Sequence, residues 1–167
     1  MSIVLVWAQD RVGAIGRAGT IPWSVPEDMA RFKELTGTGA VIMGRKTWES
    51  LPARFRPLPQ RRNIVLTRAA GYWAEGAEVA AGLEAALELT GRVAAVIGGS
   101  EIYTAALEHA DELRVTEIDV LVDAADAFAP PIDLDRWEAH QVGQWQYSRT
   151  GTLYRFVDYR RIDYRNR

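Results

Sequence analysis

The amino-acid sequence predicts an α/β domain built on a mostly parallel sheet, and three observations lead to that fold class. Strand-like and helix-like segments alternate along the first two thirds of the chain, as in a sheet covered by helices. Several apolar runs end in glycine turns that open directly into helices. The last third changes to longer segments of mixed polarity, two of them joined by Arg149-Thr150-Gly151, which is typical of a hairpin. With 167 residues, of which 48% are hydrophobic and 25% charged, we expect a single domain spanning residues 1–167.

The first strand, loop and helix follow from local residue types. Residues 3–8 form a nearly continuous apolar run with β-branched side chains, which predicts a strand covered on both faces. Residues 10–21 contain three glycines and predict a long mobile loop. Pro22 and Pro26 restrict the residues before them and delay the next helix. Acidic residues at its start and a lysine near its end then place that helix at residues 27–35.

Strands and helices alternate through the middle of the chain, and strands dominate its end. The middle strands share short apolar runs, at residues 40–43, 63–67, 78–80 and 93–97. The middle helices are predicted at residues 45–51, 83–90 and 101–110. A proline- and arginine-rich loop is expected at residues 54–62. The longer final strands are predicted at residues 113–118, 137–148 and 153–161, the last two forming the hairpin.

Composition and charge exclude several classes of function. A formal net charge of −2 gives no global basic field for nucleic acid or a membrane surface. The absence of cysteine excludes disulfides, thiolate metal sites and cysteine nucleophiles. The two histidines, His109 and His140, lack a metal-binding spacing, so we expect no metal. The apolar N-terminal run is too short to span a bilayer and no cationic segment precedes it, so we expect a cytoplasmic protein.

Asp28 is the most informative residue because it is a carboxylate on an apolar helix face. Phe32 and Leu35, four and seven positions later, share that face, whereas Arg31 and Lys33 are expected to face water. The alternative is that the acid only favours the helix N-terminus, a role that suits its acidic neighbour equally well. The glycine-rich loop and the Pro-Trp pair before the helix favour a closable pocket for a cationic or hydrogen-bonding heterocycle.

Two glycine turns after buried strands indicate phosphate binding. In Gly98-Gly99-Ser100 the glycines let the backbone approach a ligand, and helix-start N–H groups favour a phosphate. Gly44-Arg45-Lys46-Thr47 adds two cations and a hydroxyl, and Thr67-Arg68 ends a later strand. If the two strands are neighbours, Arg45, Thr67 and Arg68 converge on one phosphate. Each feature alone is explained equally by solvated cations or an unoccupied turn; together they indicate a dinucleotide with an additional phosphate.

A stiff basic loop offers a second site for an anion. Prolines hold the arginines of Leu58-Pro59-Gln60-Arg61-Arg62-Asn63 at the start of a strand. A carboxylate on a substrate tail would match such a guanidinium group. The alternative is a solvated basic loop, which is the interpretation that the residues by themselves favour.

These pieces occur in an order that resembles the bacterial dihydrofolate reductases. The resembling segments run over nearly the whole chain: Ile15-Gly16, Ile21-Pro22-Trp23, Pro26-Glu27-Asp28, Val41 to Ser50, Pro57-Leu58-Pro59, Arg61-Arg62-Asn63, Val96-Ile97-Gly98-Gly99, Tyr103 and Thr116 to Asp119. The resemblance implies a central eight-stranded, mixed, mostly parallel sheet flanked by four helices. It also implies reduction of 7,8-dihydrofolate to 5,6,7,8-tetrahydrofolate by NADPH, with hydride transfer to C6 and protonation of N5, and inhibition by antifolates.

The resemblance implies a substrate site centred on Asp28, which would bind the pterin 2-amino group and N3. Thr116 would be linked to that acid, and Arg61 would bind the glutamate α-carboxylate. The implied catalytic residues are Asp28, Trp23, Tyr103 and Thr116. The implied substrate contacts are Val6, Ala8, Asp28, Met29, Phe32, Leu51, Leu58, Arg61, Ile97 and Thr116, with the carbonyls of Val6 and Ile97 at the pterin amino edge.

The same resemblance implies an NADPH site along the carboxyl ends of the strands. The 2′-phosphate would lie at Arg45, Thr67 and Arg68, and the nicotinamide near Ala8, Ile15, Gly16 and Tyr103. The pyrophosphate would lie at Lys46, Thr47, Gly98, Gly99 and Ser100. The implied cofactor contacts are Trp7, Ala8, Ile15, Gly16, Gly44, Arg45, Lys46, Thr47, Leu66, Thr67, Arg68, Ile97, Gly98, Gly99, Ser100, Glu101, Ile102 and Tyr103.

Some positions differ from the commonest pattern of the family. Ser100 and Gln60 stand where glycine is frequent, and Met29 stands where leucine is frequent. Methionine is apolar and flexible, so Met29 is still expected to line the pocket. Trp7 is larger than the residue often found at its position. Asp126 aligns with a loop acid that pairs with the mobile loop.

Two other functions stay open from the sequence. One is the pyrimidine reductase of riboflavin synthesis, which shares the fold and also uses NADPH; Asp28 behind Pro22-Trp23 and the Arg61 loop fit a folate better. The other is a nucleotide-binding domain without turnover, against which the set of Asp28, Phe32 and Thr116 argues. We expect a monomer, because no exposed apolar repeat indicates a partner.

Overall fold

Nine strand segments form the central sheet of the computed structural model, which describes residues 2–162. The elements in chain order are β1 (Ile3–Gln9), β2 (Ala14–Gly16), α1 (Pro26–Thr36), β3 (Ala40–Gly44), α2 (Arg45–Ser50), β4 (Arg62–Leu66), β5 (Glu78–Ala80), α3 (Leu83–Leu89), β6 (Ala94–Val96), α4 (Ser100–Ala106), β7 (Glu112–Ile118), β8 (Ala127–Phe128), β9 (Trp137–Val142), β10 (Gln146–Tyr147) and β11 (Leu153–Arg161). Short 3-10 helices occupy Ala53–Phe55 and Leu107–His109. Met1 and residues 163–167, which belong to the predicted domain, lie outside the described residues.

The sheet order is β10-β11-β7-β1-β6-β3-β4-β5, with β9 also paired to β11. The pairs from β7 through β5 are parallel, whereas β11 is antiparallel to β7, β9 and β10. The predicted α/β class, with a mixed, mostly parallel sheet, a C-terminal hairpin and four helices, is therefore confirmed.

A break after Val142 divides one predicted strand and raises the count from eight strands to nine segments. Residues 137–148 were expected to be continuous, but β9 ends at Val142 and β10 begins at Gln146. Between them the backbone N–H of Gly143 donates to the carbonyl of Phe156 at 2.8 Å. A Cβ atom at Gly143 would lie 3.0 Å from that carbonyl oxygen, so the close approach requires glycine.

Helices cover both faces of the sheet because strand side chains alternate between them. Leu5 and Trp7 of β1 pack in one core cluster with Leu87 of α3 and Tyr103 of α4. Val6 instead belongs to the opposite cluster, which the residues of α1 and α2 help to form. The parallel strands thus carry their carboxyl ends to one edge of the layered domain, where ligands bind in open α/β sheets.

Element boundaries differ from the predictions by short local changes. The first helix begins at Pro26, where the missing N–H costs no helical hydrogen bond. The helix predicted at residues 101–110 is α4 followed by the 3-10 turn. The loop at residues 10–21 contains β2, which pairs with β8. Neither of these strands was predicted, because two or three residues are too few to show a periodic pattern.

The structure also bears on membrane and metal binding. Within residues 2–162 we find no helix that is long and apolar enough to cross a bilayer. The same residues contain no group of three or more histidines and carboxylates placed to hold a metal ion.

Asp10 joins two loops that are far apart in the sequence. Its side chain is buried, and its Oδ1 atom accepts hydrogen bonds from the backbone N–H groups of Val12 and Ala14 at 2.9 and 2.8 Å. Its Oδ2 atom accepts a third bond from Val122 at 2.9 Å. One carboxylate therefore fixes the start of the glycine-rich loop to the segment that follows β7.

We expect Asp10→Asn to lower the free energy of unfolding by about 2 kcal/mol. The amide keeps one acceptor oxygen but turns the other into a donor, which would face a backbone N–H and leave it unpaired. Urea denaturation measures the difference, with Asp123→Asn, an exposed acid in the same segment, as the control. Equal stability of the Asp10 variant and wild type would contradict this assignment.

Candidate active site

Asp28 lies in the first turn of α1 and faces β7 across a partly buried space. The hydroxyl of Thr116, a buried residue of β7, donates a hydrogen bond to Asp28 Oδ1 at 2.5 Å. Parallel pairing sets Thr116 beside Ala8 of β1. A carboxylate from a helix and a hydroxyl from a strand thus meet where β1 nears its end.

Burial is the main influence on the ionisation of Asp28. Loss of water around the carboxylate raises its pKa, while the hydrogen bond from Thr116 and the positive charge of Arg31 act in the opposite direction. No cation lies within ion-pair distance of Asp28 among residues 2–162. The carboxylate is therefore suited to a ligand that brings its own N–H donors or positive charge.

Apolar side chains surround this acid on two sides. Five predicted substrate residues belong to one core cluster: Val6, Phe32, Leu51, Leu58 and Ile97. Ala8 and Trp23 pack in another cluster with Tyr154. Met29, expected to line the pocket, is 61% exposed and lies outside these clusters. The site thus combines one polar pair with apolar walls, as a flat heterocycle requires.

The turn after β6 meets β1 and α2 at close range. The hydroxyl of Tyr103, a buried residue of α4, donates to the carbonyl of Val6 at 2.6 Å. A Cβ atom on Gly98, whose φ is +135°, would lie 3.2 Å from Thr47 Oγ1 and 3.5 Å from the Tyr103 hydroxyl. The Gly98–Gly99 peptide bond is cis. The turn after β6 and the Val6 carbonyl thus lie close together at this edge of the sheet.

Tyr103 keeps its proton under ordinary conditions. Burial raises the pKa of its phenol far above the usual value, and the negative charge of Asp28 adds to that effect. The phenol therefore acts as a neutral hydrogen-bond donor at this site.

The predicted phosphate cluster comes together because β3 and β4 are parallel neighbours. Gly44 pairs with Leu66, so Arg45 and Thr67 follow paired residues at the same edge. Arg45 is exposed; its guanidinium carbon lies 5.8 Å from the centre of the Tyr72 ring, and its Nε atom lies 3.8 Å from Glu49. These contacts are long and leave the cation accessible to an anion.

Arg61 is held in place without a carboxylate partner. Its Nη1 atom donates to Thr36 Oγ1 and its Nε atom donates to the carbonyl of Pro59, both at 2.9 Å. Burial lowers the pKa of this guanidinium, and no acid pairs with it in the part of the chain that the structure describes. Thr36 is buried at the end of α1, and nothing in its local sequence marks it as the support for Arg61.

The glycine-rich loop is bound to the segment around β8. The backbone N–H of Ala18 donates to Asp126 Oδ2 at 3.0 Å, and the N–H of Asp126 donates to the carbonyl of Gly16 at 3.3 Å. Asp126 therefore contacts the glycine-rich loop, as expected of the loop-pairing acid with which it was aligned.

Comparison with known proteins identifies the family that shares this arrangement. A family model described as dihydrofolate reductase matches residues 2–161. The chain belongs to the dihydrofolate reductase family. The dihydrofolate reductase of Mycobacterium tuberculosis (strain ATCC 25618 / H37Rv) is 48% identical over 159 residues, which cover 94% of this chain and 96% of the relative. That of Neisseria meningitidis serogroup B (strain ATCC BAA-335 / MC58) is 47% identical over 163 residues, with 96% and 99% covered.

A solved structure of the dihydrofolate reductase family has the same architecture. The dihydrofolate reductase from Enterococcus faecalis complexed with NADP(H) and RAB-propyl superposes with a TM-score of 0.87 at 33% identity. The match covers 97% of each chain. The family and fold predicted from the sequence are thus confirmed, and nothing in these comparisons favours the riboflavin-type or non-catalytic alternatives.

The prediction that Arg31 faces water is wrong. In this member of the dihydrofolate reductase family the Arg31 side chain is 15% exposed and forms an ion pair with Asp158. Arg31 is three positions after Asp28, so it lies near the helix face that carries Asp28. Its guanidinium turns toward the interior because Asp158, a buried residue of β11, binds it there. Nothing in the local sequence marks Asp158 as the partner of Arg31, because the ion pair joins residues that are far apart in the chain.

Proposed function

We propose that this chain catalyses the NADPH-dependent reduction of 7,8-dihydrofolate to 5,6,7,8-tetrahydrofolate. The observation that carries the proposal is the Asp28–Thr116 hydrogen bond, which presents a carboxylate without a cationic partner at the edge of an apolar pocket. A pterin offers an amino group and a ring N–H to such an acid, and the family match supports the same assignment.

Three groups of residues bind the substrate in this proposal. Asp28 accepts hydrogen bonds from the pterin 2-amino group and N3, while the carbonyls of Val6 and Ile97 face the amino edge. Phe32 and the other apolar residues of the same cluster hold the rings. Arg61 binds the α-carboxylate of the glutamate tail through its guanidinium group, which is fixed in place and lacks an acid among residues 2–162.

The residues after β6 and β3 fit the phosphates of NADPH. Ser100 Oγ is buried and has no hydrogen-bond partner among the described residues, so this hydroxyl is free to donate to a phosphate oxygen. Thr47 Oγ1 lies beside the bare backbone of Gly98 and Gly99. Lys46, Thr47 and the Gly98–Ser100 turn would hold the pyrophosphate, with Arg45, Thr67 and Arg68 at the 2′-phosphate.

The protein contributes alignment, electrostatics and control of water. NADPH, when bound, supplies the hydride that adds to C6 of the substrate. Asp28 binds the pterin at the edge opposite N5, so it cannot pass a proton to N5 directly. It instead stabilises the protonated or polarised pterin by its negative charge. A water molecule delivers the proton to N5 when the residue 10–21 loop moves, and closure of that loop, with Trp23 and Tyr103 at the site, excludes other water.

Loss of Arg68 is expected to weaken NADPH binding about 10-fold or more and NADH binding less than about 2-fold, because only NADPH carries the 2′-phosphate. Arg45→Gln should show the same preference. Fluorescence titration with each cofactor measures both affinities for Arg68→Gln. Arg136→Gln removes an exposed arginine that pairs with Asp133 and serves as the control. An equal loss for NADPH and NADH would refute the assignment of the 2′-phosphate site.

Turnover is the direct test of the proposed function. Loss of NADPH absorbance is followed with dihydrofolate present, with and without methotrexate. Consumption that methotrexate stops would support the proposal, including the antifolate as a ligand. Tight NADPH binding without consumption of dihydrofolate would overturn the substrate assignment.

We also propose that the enzyme acts as a cytoplasmic monomer. Its substrate and cofactor are small molecules, and the predicted site is composed of residues of one chain. Light scattering of the purified protein tests the oligomeric state.

A further inference from the structure

A chain of alternating charges ends beside Asp28. Arg31 Nη2 lies 2.6 Å from Asp158 Oδ1, and Asp158 Oδ2 lies 2.7 Å from Arg114 Nη1. Arg114 Nη2 in turn lies 2.6 Å from Glu112 Oε2. The chain therefore reads acid, base, acid, base from β7 to α1, and its last cation is three residues after Asp28 on the same helix.

The guanidinium of Arg31 is fixed on both sides. Asp158 binds one edge, with only 10% of its side chain exposed. The ring of Phe156 lies 4.1 Å from the guanidinium carbon. Phe156 pairs across the strands with Thr116, the residue that donates to Asp28. The same stretch of β7 and β11 thus positions the cation and the hydroxyl that act on Asp28.

Stability alone does not explain this arrangement. A buried ion pair contributes little net stability, because removing its charges from water offsets their attraction. Arg31 Nη1 is in addition buried without a hydrogen-bond partner among the residues described, which costs free energy. A buried cation of this kind can act through its electric field, and it lies three positions after Asp28 on the same helix.

We propose that Arg31 is a positioning residue for the reaction: held by Asp158 and stacked on Phe156, its guanidinium is fixed where its positive charge favours the ionised form of the Asp28 carboxylate before the substrate binds. The role in the reaction rests on the proposed function, whereas the effect on Asp28 does not. The positive charge of Arg31 lowers the pKa of Asp28 against the opposing effect of burial.

Other ionisable groups near Asp28 lie on α1, α4 and β11. On α1, the Glu27 carboxylate is bound by the Ser148 hydroxyl and the backbone N–H of Arg149. Two phenols also interact with the charge of Asp28, Tyr103 of α4 and Tyr154 of β11, and burial raises the pKa values of both. Both phenols are neutral in the working range. Among the charged side chains of residues 2–162, Arg31 is the one whose positive charge lowers the pKa of Asp28.

Carboxyl NMR of the full-length, ligand-free protein labelled with 13C-aspartate tests the proposal. The Asp28 signal is assigned by its loss in Asp28→Asn. We expect Arg31→Gln to raise the Asp28 titration midpoint by about one pH unit, and Arg31→Lys to restore most of the wild-type value. Asp158→Asn, which leaves Arg31 unneutralised, should lower the midpoint.

The control is Arg155→Gln on the opposite face of β11. Arg155 forms an ion pair with Glu117 and stacks on Trp145, so its loss disturbs the same strand without removing a charge near Asp28. An unchanged midpoint in Arg31→Gln, or an equal rise in Arg155→Gln, would overturn the proposal. If Arg31→Gln does not fold, Asp158→Asn provides the test. An Asp28 titration midpoint that does not fall in Asp158→Asn would overturn the proposal.

The titration separates this proposal from the proposed function. A wild-type protein that does not reduce dihydrofolate would refute the function, yet the midpoints of Asp28 would still report whether Arg31 acts on it. Normal turnover of the wild type, together with an Asp28 midpoint that does not change in Arg31→Gln, would refute only the role of Arg31.

Discussion

Asp28→Asn is expected to reduce kcat/KM for dihydrofolate by about 100- to 1,000-fold at neutral pH while NADPH affinity changes little. Asparagine fills the same volume and can still accept the hydrogen bond from Thr116. It lacks the negative charge that stabilises a protonated pterin, and its amide presents a donor toward the pterin amino group. The loss therefore falls on the chemical step and on substrate binding, and the cofactor site is left intact.

The deficit of Asp28→Asn should shrink as the pH falls. In acid solution more of the dihydrofolate arrives already protonated, so the carboxylate is needed less. Steady-state rates across the pH range measure this dependence. Glu27→Gln is the matched control, since this neighbouring acid binds Ser148 instead of facing the site. A deficit that stays constant with pH would contradict the role of Asp28 in protonation.

The same variant is expected to unfold at a Tm equal to or above that of wild type at neutral pH. Burial raises the pKa of Asp28 in the folded chain, so the folded state holds the proton to higher pH than the unfolded state. Stability is then lost as the pH rises above the ordinary pKa of an aspartate. Asparagine carries no charge and avoids that loss, and the difference in Tm should vanish in acid, where both states are protonated.

Arg61→Gln is expected to raise KM for dihydrofolate about 100-fold with kcat nearly unchanged. Truncating one member of a desolvated charge pair costs about 2–5 kcal/mol, and 2.7 kcal/mol corresponds to about 100-fold in affinity. The glutamate tail does not react, so its contact is equally strong in the ground state and the transition state.

Arg62→Gln is the matched control for Arg61→Gln. Arg62 is adjacent and exposed, and it already forms an ion pair with Glu78 at 2.5 Å. The KM of Arg62→Gln for dihydrofolate should stay within about 2-fold of wild type, because loss of an exposed ion pair changes free energies very little. A fall in kcat without a change in KM for Arg61→Gln, or an equal rise in KM for both variants, would contradict the assignment of the carboxylate site.

Periodic patterns were sufficient for most of the fold. Long apolar runs and glycine turns placed the parallel strands and most of their helices within one or two residues, because those segments bury a regular face. The helix predicted at residues 101–110 is the exception, since α4 ends at Ala106. The short pair β2–β8 and the break at Gly143 were not predicted, since each depends on one or two backbone contacts with a distant part of the chain. Such contacts leave no periodicity in the sequence.

The site divides in a similar way. Asp28 and the Arg45–Thr67 edge could be predicted, because an acid on an apolar face and cations after glycine turns are unusual in local sequence. Thr36 and Asp158 could not, since their function depends on an arginine brought close by tertiary packing. The roles assigned to the individual site residues stay predictions for the experiments above.

The two edges of the sheet bear on how the protein behaves at high concentration. One edge is β5, three residues long, and the other is divided into β9 and β10 by the break at residues 143–145. A long, straight edge is a template on which another chain can add a strand, and short or irregular edges prevent such growth. A second copy would find few backbone groups in register at either edge. We therefore expect the folded protein to resist sheet-to-sheet aggregation during concentration and storage.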